Sequence, residues 1–358
     1  MSSKFTDDSI ELRNFMFPKM ETYNKNSLKK LYNHLDKTTL KNVKIVSYEE
    51  DIHINNGVKK DLSSPYMGNK IKEYVNGKLE KIVTCKLMIG MLNITLRVYY
   101  KNEDVKQFIS RLIQYIRFIS SITDISLINL EINYYLTDFK KLLNKNITLI
   151  KDQVNSGSCL IKGTHSAWIN IWRKEEILKV TLHELIHAFG FSKYSDTEGL
   201  IDHYNKRYNI NTKTITSDEA YTEIWANILN CYLISQTTKK DPLKFFITMI
   251  SLERSYSIYL AQKILHRKGI NKQDINKDTH VFAYYIIRAE IYERFSKFID
   301  HCEAKNKDYI NITNGNEIIQ FLLNNNQLKQ DNRKFNNINK NKFTYKTLRM
   351  TVNELSVF

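Results

Sequence analysis

Alternation of apolar and polar positions is the clearest signal along the chain. Leu92, Ile94, Leu96, Val98 and Tyr100 are separated by Asn93, Thr95, Arg97 and Tyr99. A period of two places one set on a buried face and the other toward water, which predicts a strand. The stretch from Ile82 supplies its partner, with the reversal around Met88–Met91. Ile128 to Thr137 alternates in the same way, with Ile128, Leu130, Ile132, Tyr134 and Leu136 on one side. Ala167 to Arg173 sets Trp168, Asn170 and Trp172 against Ile169 and Ile171. Val43 to Tyr48 predicts one more strand, and Asn155-Ser156-Gly157-Ser158 predicts a turn.

Elsewhere the period lengthens to that of a helix. Val105, Phe108, Ile109, Leu112, Ile116 and Ile119 form one stripe over residues 104–120. Ser27 to Leu35, residues 243–266 and residues 278–299 also read as helical. A helix beginning near Lys174 places Leu178, Leu182, Leu185, Ile186 and Phe189 on one arc. Val180, His183, Glu184, His187 and Gly190 fall on the opposite arc. Another helix begins near Thr216 and buries Tyr221, Ile224, Trp225, Ile228, Leu229 and Tyr232. Its other face carries Glu219, Glu223, Ala226, Asn227 and Asn230.

Strands, a backing helix, further strands and then helices predict an α+β fold. The sheet is expected to be twisted and mixed, followed by a mainly helical C-terminal subdomain. Boundaries are expected near residues 80 and 300. Residues 1–80 would form an N-terminal accessory region, 81–300 the main domain, and 301–358 a C-terminal extension. The Asn- and Lys-rich stretch from Asn324 to Lys342 reads as loop or poorly ordered chain.

The polar arc of the helix near Lys174 carries the chemistry. His183-Glu184-Leu185-Ile186-His187 is H-E-x-x-H. Residues four apart on a helix lie one above the other, so both imidazoles can reach one metal ion. Glu184 lies beside them and is placed to act as general base on a metal-bound water. A bland alternative is a solvated polar face with two ordinary histidines. Zinc needs a third protein ligand. Glu219 and Glu223, four apart on the next helix, are candidates. Thr216-x-x-Glu219 also matches a capping box, in which Glu219 would only close the helix start. His280, Tyr284 and Arg288 are spaced four apart as well, and are candidate donors to a transition-state oxyanion.

Composition narrows the setting. The chain has 358 residues, of which 42% are hydrophobic, enough for a substantial core. No run approaches the roughly 18–20 apolar residues that span a bilayer. MSSKFTDDSIELRNF carries acids and no apolar stretch, so no secretory leader is expected. Cys85, Cys159, Cys231 and Cys302 are scattered, which suggests reduced thiols in a cytoplasmic setting. The net charge of +16 is diffuse and accompanies no nucleic-acid motif. It allows nonspecific attraction to nucleic acid, and is read first as a solvated surface.

H-E-x-x-H followed about thirty residues later by E-x-x-x-E on a helix resembles the gluzincin branch of the zincin metallopeptidases. VTLHELIHAFG, Val180 to Gly190, also resembles the active-site helix of clostridial neurotoxin light chains over that stretch alone. The chain also resembles uncharacterised H-E-x-x-H proteins of large DNA viruses, and its composition, rich in Lys, Asn and Ile, suits an AT-rich genome. The resemblance covers roughly residues 128–232. It departs from the metzincin pattern, because Lys193 stands where the third histidine would be. It implies a zincin-like fold with an active-site helix and a bound Zn2+. His183, His187 and Glu219 would be its ligands, and Glu223 an acid supporting them or an alternative ligand. Asp202 and His203, beyond the loop Asp196 to Gly199, offer another ligand source, as an aspartate does in aspzincins, with a surface loop as their more ordinary reading. The implied activity is endopeptidase hydrolysis of a protein or peptide substrate, in a host cytoplasm or virion. A strand edge near Gly157 to Leu160 or Trp168 to Trp172 would receive the substrate. Two other classes stay open: a non-catalytic zincin-fold structural or virion protein, and a basic nucleic-acid-associated protein.

Overall fold

The computed structural model describes residues 4–19, 25–51, 62, 64–122, 124, 126–143, 149–238, 240–266, 278–328 and 339–358. The chain order begins with α1 (Asp7–Met16), α2 (Asn26–Asp36), β1 (Val43–Asp51) and α3 (Asn69–Lys78). Next come β2 (Lys81–Ile89), β3 (Leu92–Tyr100), α4 (Val105–Ile122), β4 (Asn129–Tyr135) and a short α5 (Lys151–Val154). The edge strand β5 (Gly157–Lys162), β6 (Ser166–Ile171) and α6 (Ile177–Phe189) follow. Helices α7 (Glu198–Tyr208), α8 (Ser217–Ser235) and α9 (Pro242–Leu265) come after. A π-helical stretch (Phe282–Ile287) runs into α10 (Arg288–Glu293), then α11 (Phe295–Lys305), α12 (Gly315–Leu323) and α13 (Phe343–Lys346). No described helix is long and apolar enough to cross a membrane.

The described chain groups into two compact units. One holds residues 37–140, 155–190 and 357–358, and the other holds 1–36, 141–154 and 191–356. The expected N-terminal region 1–80 therefore contributes to both: α1 and α2 to the second unit, β1 and α3 to the first. The fold is α+β with a mixed sheet, as the alternation predicts.

The first unit is the sheet unit. Its strand order is β1-β2-β3-β4-β6-β5. The β3–β4 and β4–β6 pairs are parallel, and the other three are antiparallel. Alternation reads out directly in β2, where Val83, Cys85, Leu87 and Ile89 are buried. Leu92, Ile94, Leu96 and Val98 do the same in β3. The ring of Tyr134 meets Phe108 of α4 at 5.2 Å, edge to face. The other face is covered near the strand ends by Met67, Ile71 and Val75, which cluster with Tyr99, Tyr135 and Trp172. Tyr99 stacks on Tyr135 at 4.9 Å. Both faces being covered explains why the alternation of β4 gives way to burial at four successive residues from Ile132. The expected turn at residues 155–158 is shorter than predicted, because β5 already begins at Gly157.

The second unit is helical. Helix α8 is buried on almost every side, from Ala220 to Tyr232. Trp225 and Tyr221 pack with Phe298 of α11, at ring separations of 6.4 and 5.9 Å. The helix expected over 278–299 is interrupted. It opens as the π-helical stretch and breaks at Arg294, where φ is −109°. Asp202 and His203 lie on α7 and not in a loop. Most of the stretch Asn324 to Lys342 lies outside the described residues.

Residues 347–355 form a buried strap in this unit, with only single bridges at Thr347 and Leu355. Its carbonyls are taken by side chains. Lys263 donates to Thr347 O at 2.6 Å, Tyr285 to Leu348 O at 2.9 Å, and Tyr256 to Arg349 O at 3.1 Å. Arg288 donates to Met350 O at 2.7 Å, and Asn230 to Asn353 O at 2.9 Å. The Glu253 carboxylate accepts from Val352 N at 3.0 Å and Asn353 N at 3.1 Å. Buried backbone polar groups need partners, and here side chains replace a ladder.

Candidate metal centre

In the sheet unit, the chain leaves β6 and turns tightly into α6. Trp172 Nε1 and Arg173 Nε both donate to Asn155 O, at 3.2 and 2.9 Å. Lys174 N donates to Thr137 O at 3.0 Å. These bonds pin the turn, and Glu176 enters the helix with a left-handed φ of 61°. The helix starts at Ile177, three residues later than the sequence suggests. Thr181, bonded to Ile177 O and to the Tyr134 hydroxyl at 3.1 Å, ties α6 to the sheet. Gly190 ends it with φ 72°, its N–H donating to His187 O at 3.0 Å.

That helix is buried from Ile177 through Ile186, so the polar arc does not face open solvent. His183 is 7% exposed and Glu184 5%. The ring nitrogens His183 Nε2 and His187 Nε2 stand 3.3 Å apart, with the ring planes at 71°. Two side chains one helical turn apart thus aim the same nitrogen at one point. Neighbouring ligands on a tetrahedral ion with bonds of about 2.0–2.1 Å stand about 3.3–3.4 Å apart. The pair fits zinc. Glu184 lies against β5: a Cβ placed on Gly157 would fall 2.5 Å from Glu184 Oε1.

In the helical unit, the start of α8 is built differently from a capping box. Thr216 has a left-handed φ of 53°, and its hydroxyl donates to Ile215 O rather than capping the helix. The Asp196 carboxylate takes over, accepting from Ser217 N at 3.2 Å and Ser217 Oγ at 2.5 Å. Glu219 is thereby relieved of capping. Its Oε2 accepts from the Tyr284 hydroxyl at 3.1 Å, and its Oε1 lies 3.9 Å from His280 Nε2. The Glu219 side chain is 17% exposed. Glu223, one turn on, is closed off: Arg288 Nη1 reaches its Oε1 at 3.2 Å, and both side chains are buried. Arg288 also holds Met350 O, so its guanidinium is engaged inside the core.

The structure thus joins His183, Glu184 and His187 in the sheet unit. In the helical unit it joins Glu219 to His280 and Tyr284, and Glu223 to Arg288. Two contributors escaped the sequence. Asp196 left no signal, since it caps a helix from 21 residues away. Gly157 was read as a turn residue and as the start of a substrate-receiving strand edge, not as a neighbour of Glu184.

A second buried carboxylate group sits elsewhere in the helical unit. Glu290 accepts from Tyr204 at 2.9 Å, Tyr208 at 2.5 Å and Arg207 at 3.2 Å. Burial outweighs these donors and pushes its pKa up to about 7. Burial likewise raises Glu253 to about 7, against the bonds from the strap.

A protein of Acanthamoeba polyphaga mimivirus, described as "Uncharacterized protein R210", is similar to this chain. It is 27% identical over 225 residues, covering 59% of this chain and 50% of that one. The chain spans about half the length of that relative. No family model matches, and no solved structure matches.

Proposed function

We propose that the chain is a zinc-dependent metallopeptidase with a zincin-like fold. The observation that carries this is the pair of imidazole nitrogens 3.3 Å apart on a buried helix. Glu184 lies next to them in sequence and is itself buried, which suits a proton carrier kept from bulk water. Glu219 is assigned as the third protein ligand by the sequence pattern shared with gluzincins. The Tyr284 hydroxyl on its carboxylate supports that role, because metal-binding carboxylates are commonly hydrogen-bonded from behind. Glu223, paired with Arg288, is assigned to supporting α8 and not to the metal.

A zinc ion held by these residues supplies a Lewis acid that makes water nucleophilic at neutral pH and polarises a carbonyl. Glu184 takes a proton from water as the water oxygen bonds to the scissile carbonyl carbon. It hands that proton to the amide nitrogen as the C–N bond breaks. One water is consumed, and Glu184 ends as the carboxylate it began. The His280 ring is assigned as donor to the developing oxyanion, while the Tyr284 hydroxyl gives its one hydrogen to Glu219 and is assigned to steadying that carboxylate. Strand β5, an antiparallel edge strand of the sheet unit, suits an extended protein or peptide substrate. The likeness to a mimivirus protein supports origin in a large DNA virus; a host cytoplasm or virion as location is part of the proposal.

The test is metal analysis paired with cleavage of an unbiased peptide library. Wild type should carry one zinc and cleave; Glu184→Gln should keep the zinc and lose cleavage. Equal cleavage by that variant rejects the mechanism. Zinc without turnover in wild type would favour a structural zincin. No zinc, with steeply salt-sensitive binding to DNA or RNA, would favour a basic nucleic-acid-associated protein.

A further inference from the structure

Gly157 opens the edge strand β5, opposite Ile171 of β6. A glycine in a strand weakens it, since it loses the most backbone entropy and packs nothing. Such a glycine usually answers one of two needs: a positive φ, or close approach by another group. The first is absent, because among the described residues the positive-φ glycines are Gly90, Gly163 and Gly190. The second is present. A Cβ at position 157 would stand 2.5 Å from Oε1 of Glu184 and 3.0 Å from its Cγ and Cδ. All three of the nearest atoms belong to that one side chain. Glu184 is 5% exposed, on a helix whose neighbouring residues His183 and Leu185 are also buried, so its carboxylate has little space to swing into.

We propose that Gly157 is a positioning residue: its bare backbone is the seat that holds the Glu184 carboxylate in line for proton transfer. The chemical consequence rests on the peptidase reading; the seat itself does not. Any side chain at 157, starting with a methyl group, displaces the carboxylate while leaving the two histidines their zinc. A misplacement of about 1 Å costs on the order of a hundredfold in rate. Gly157→Ala should therefore lower kcat about a hundredfold, with KM and zinc content close to wild type.

Two measurements separate the seat from the activity. The first is Tm of the zinc-loaded wild type, Gly157→Ala, Glu184→Ala and the double variant. With Glu184 present, the added methyl should lower Tm by roughly 2–4 °C. With Glu184 cut to alanine, the same methyl meets the space vacated, and Tm should hold or rise through the stiffer unfolded chain. An equal shift in both backgrounds overturns the proposal. The second is kcat and KM on a quenched fluorescent peptide library, beside zinc content. Wild-type kcat in Gly157→Ala also overturns it. If the wild type itself cleaves no peptide, the peptidase reading fails, and the Tm cycle alone decides the seat.

Discussion

His183 Nε2 and His187 Nε2 face each other at 3.3 Å, the separation of two ligands on one tetrahedral ion. On the proposed reading both rings are zinc ligands. His183→Ala and His187→Ala should each weaken zinc binding at least about a hundredfold, the upper end for losing a mere supporting partner. Metal analysis after dialysis against a chelator checks this, and wild-type zinc content in either variant would contradict it.

Asp196 caps α8 through both groups of Ser217. Asp196→Ala takes the acceptor from Ser217 N and one of the acidic groups at the helix start, where Asp218 and Glu219 stay. The cost should be about 1 kcal/mol, read as a lower midpoint in urea with unchanged slope.

Arg288 and Glu223 are a buried pair, and Arg288 also fills Met350 O. Arg288→Met takes the arginine from a buried carboxylate, while Asn227 Nδ2 keeps its bond to Met350 O at 3.3 Å. Loss of one partner of such a pair costs about 3–5 kcal/mol. Thermal unfolding should show a large fall, and a change below about 1 kcal/mol would mean that solvent reaches Glu223.

Glu290 binds its proton more tightly in the folded chain, with a pKa near 7 against an ordinary 4.5. Its contribution to stability is complete below pH 4.5 and is lost as pH rises toward 7. The loss is on the order of 3 kcal/mol. Glu253 acts in the same direction. Glu290→Gln should therefore flatten part of the fall in Tm between pH 5 and pH 8. An unchanged pH profile would place Glu290 in an ordinary ionised state.

Strand β2 was legible because it shows a wet side and a dry side, with Lys86 and Met88 against Cys85 and Leu87, and β4 because its apolar residues alternate in sequence although both its faces are buried from Ile132 on. The start of α7 was not. EGLIDHYNKRY buries only Leu200, Tyr204 and Tyr208, and two of those bring hydroxyls to Glu290. The four-residue spacing of its tyrosines was the available signal. The π-helical stretch was hidden for another reason: Phe282 to Ile287 is apolar almost throughout, so no periodicity distinguishes one winding from another. H-E-x-x-H was plain because helix spacing is local. Gly157 was silent because the side chain that needs its emptiness lies 27 residues further on in sequence.

The strap at 347–355 makes one short segment the keystone of three helices. Asn230 of α8, Lys263, Tyr256 and Glu253 of α9 and Arg288 of α10 all commit polar groups to its backbone. Dislodging that segment would leave a lysine, an arginine and a glutamate in a dry interior with the backbone they share gone, so the three helices depend on one another through a peptide that belongs to none of them.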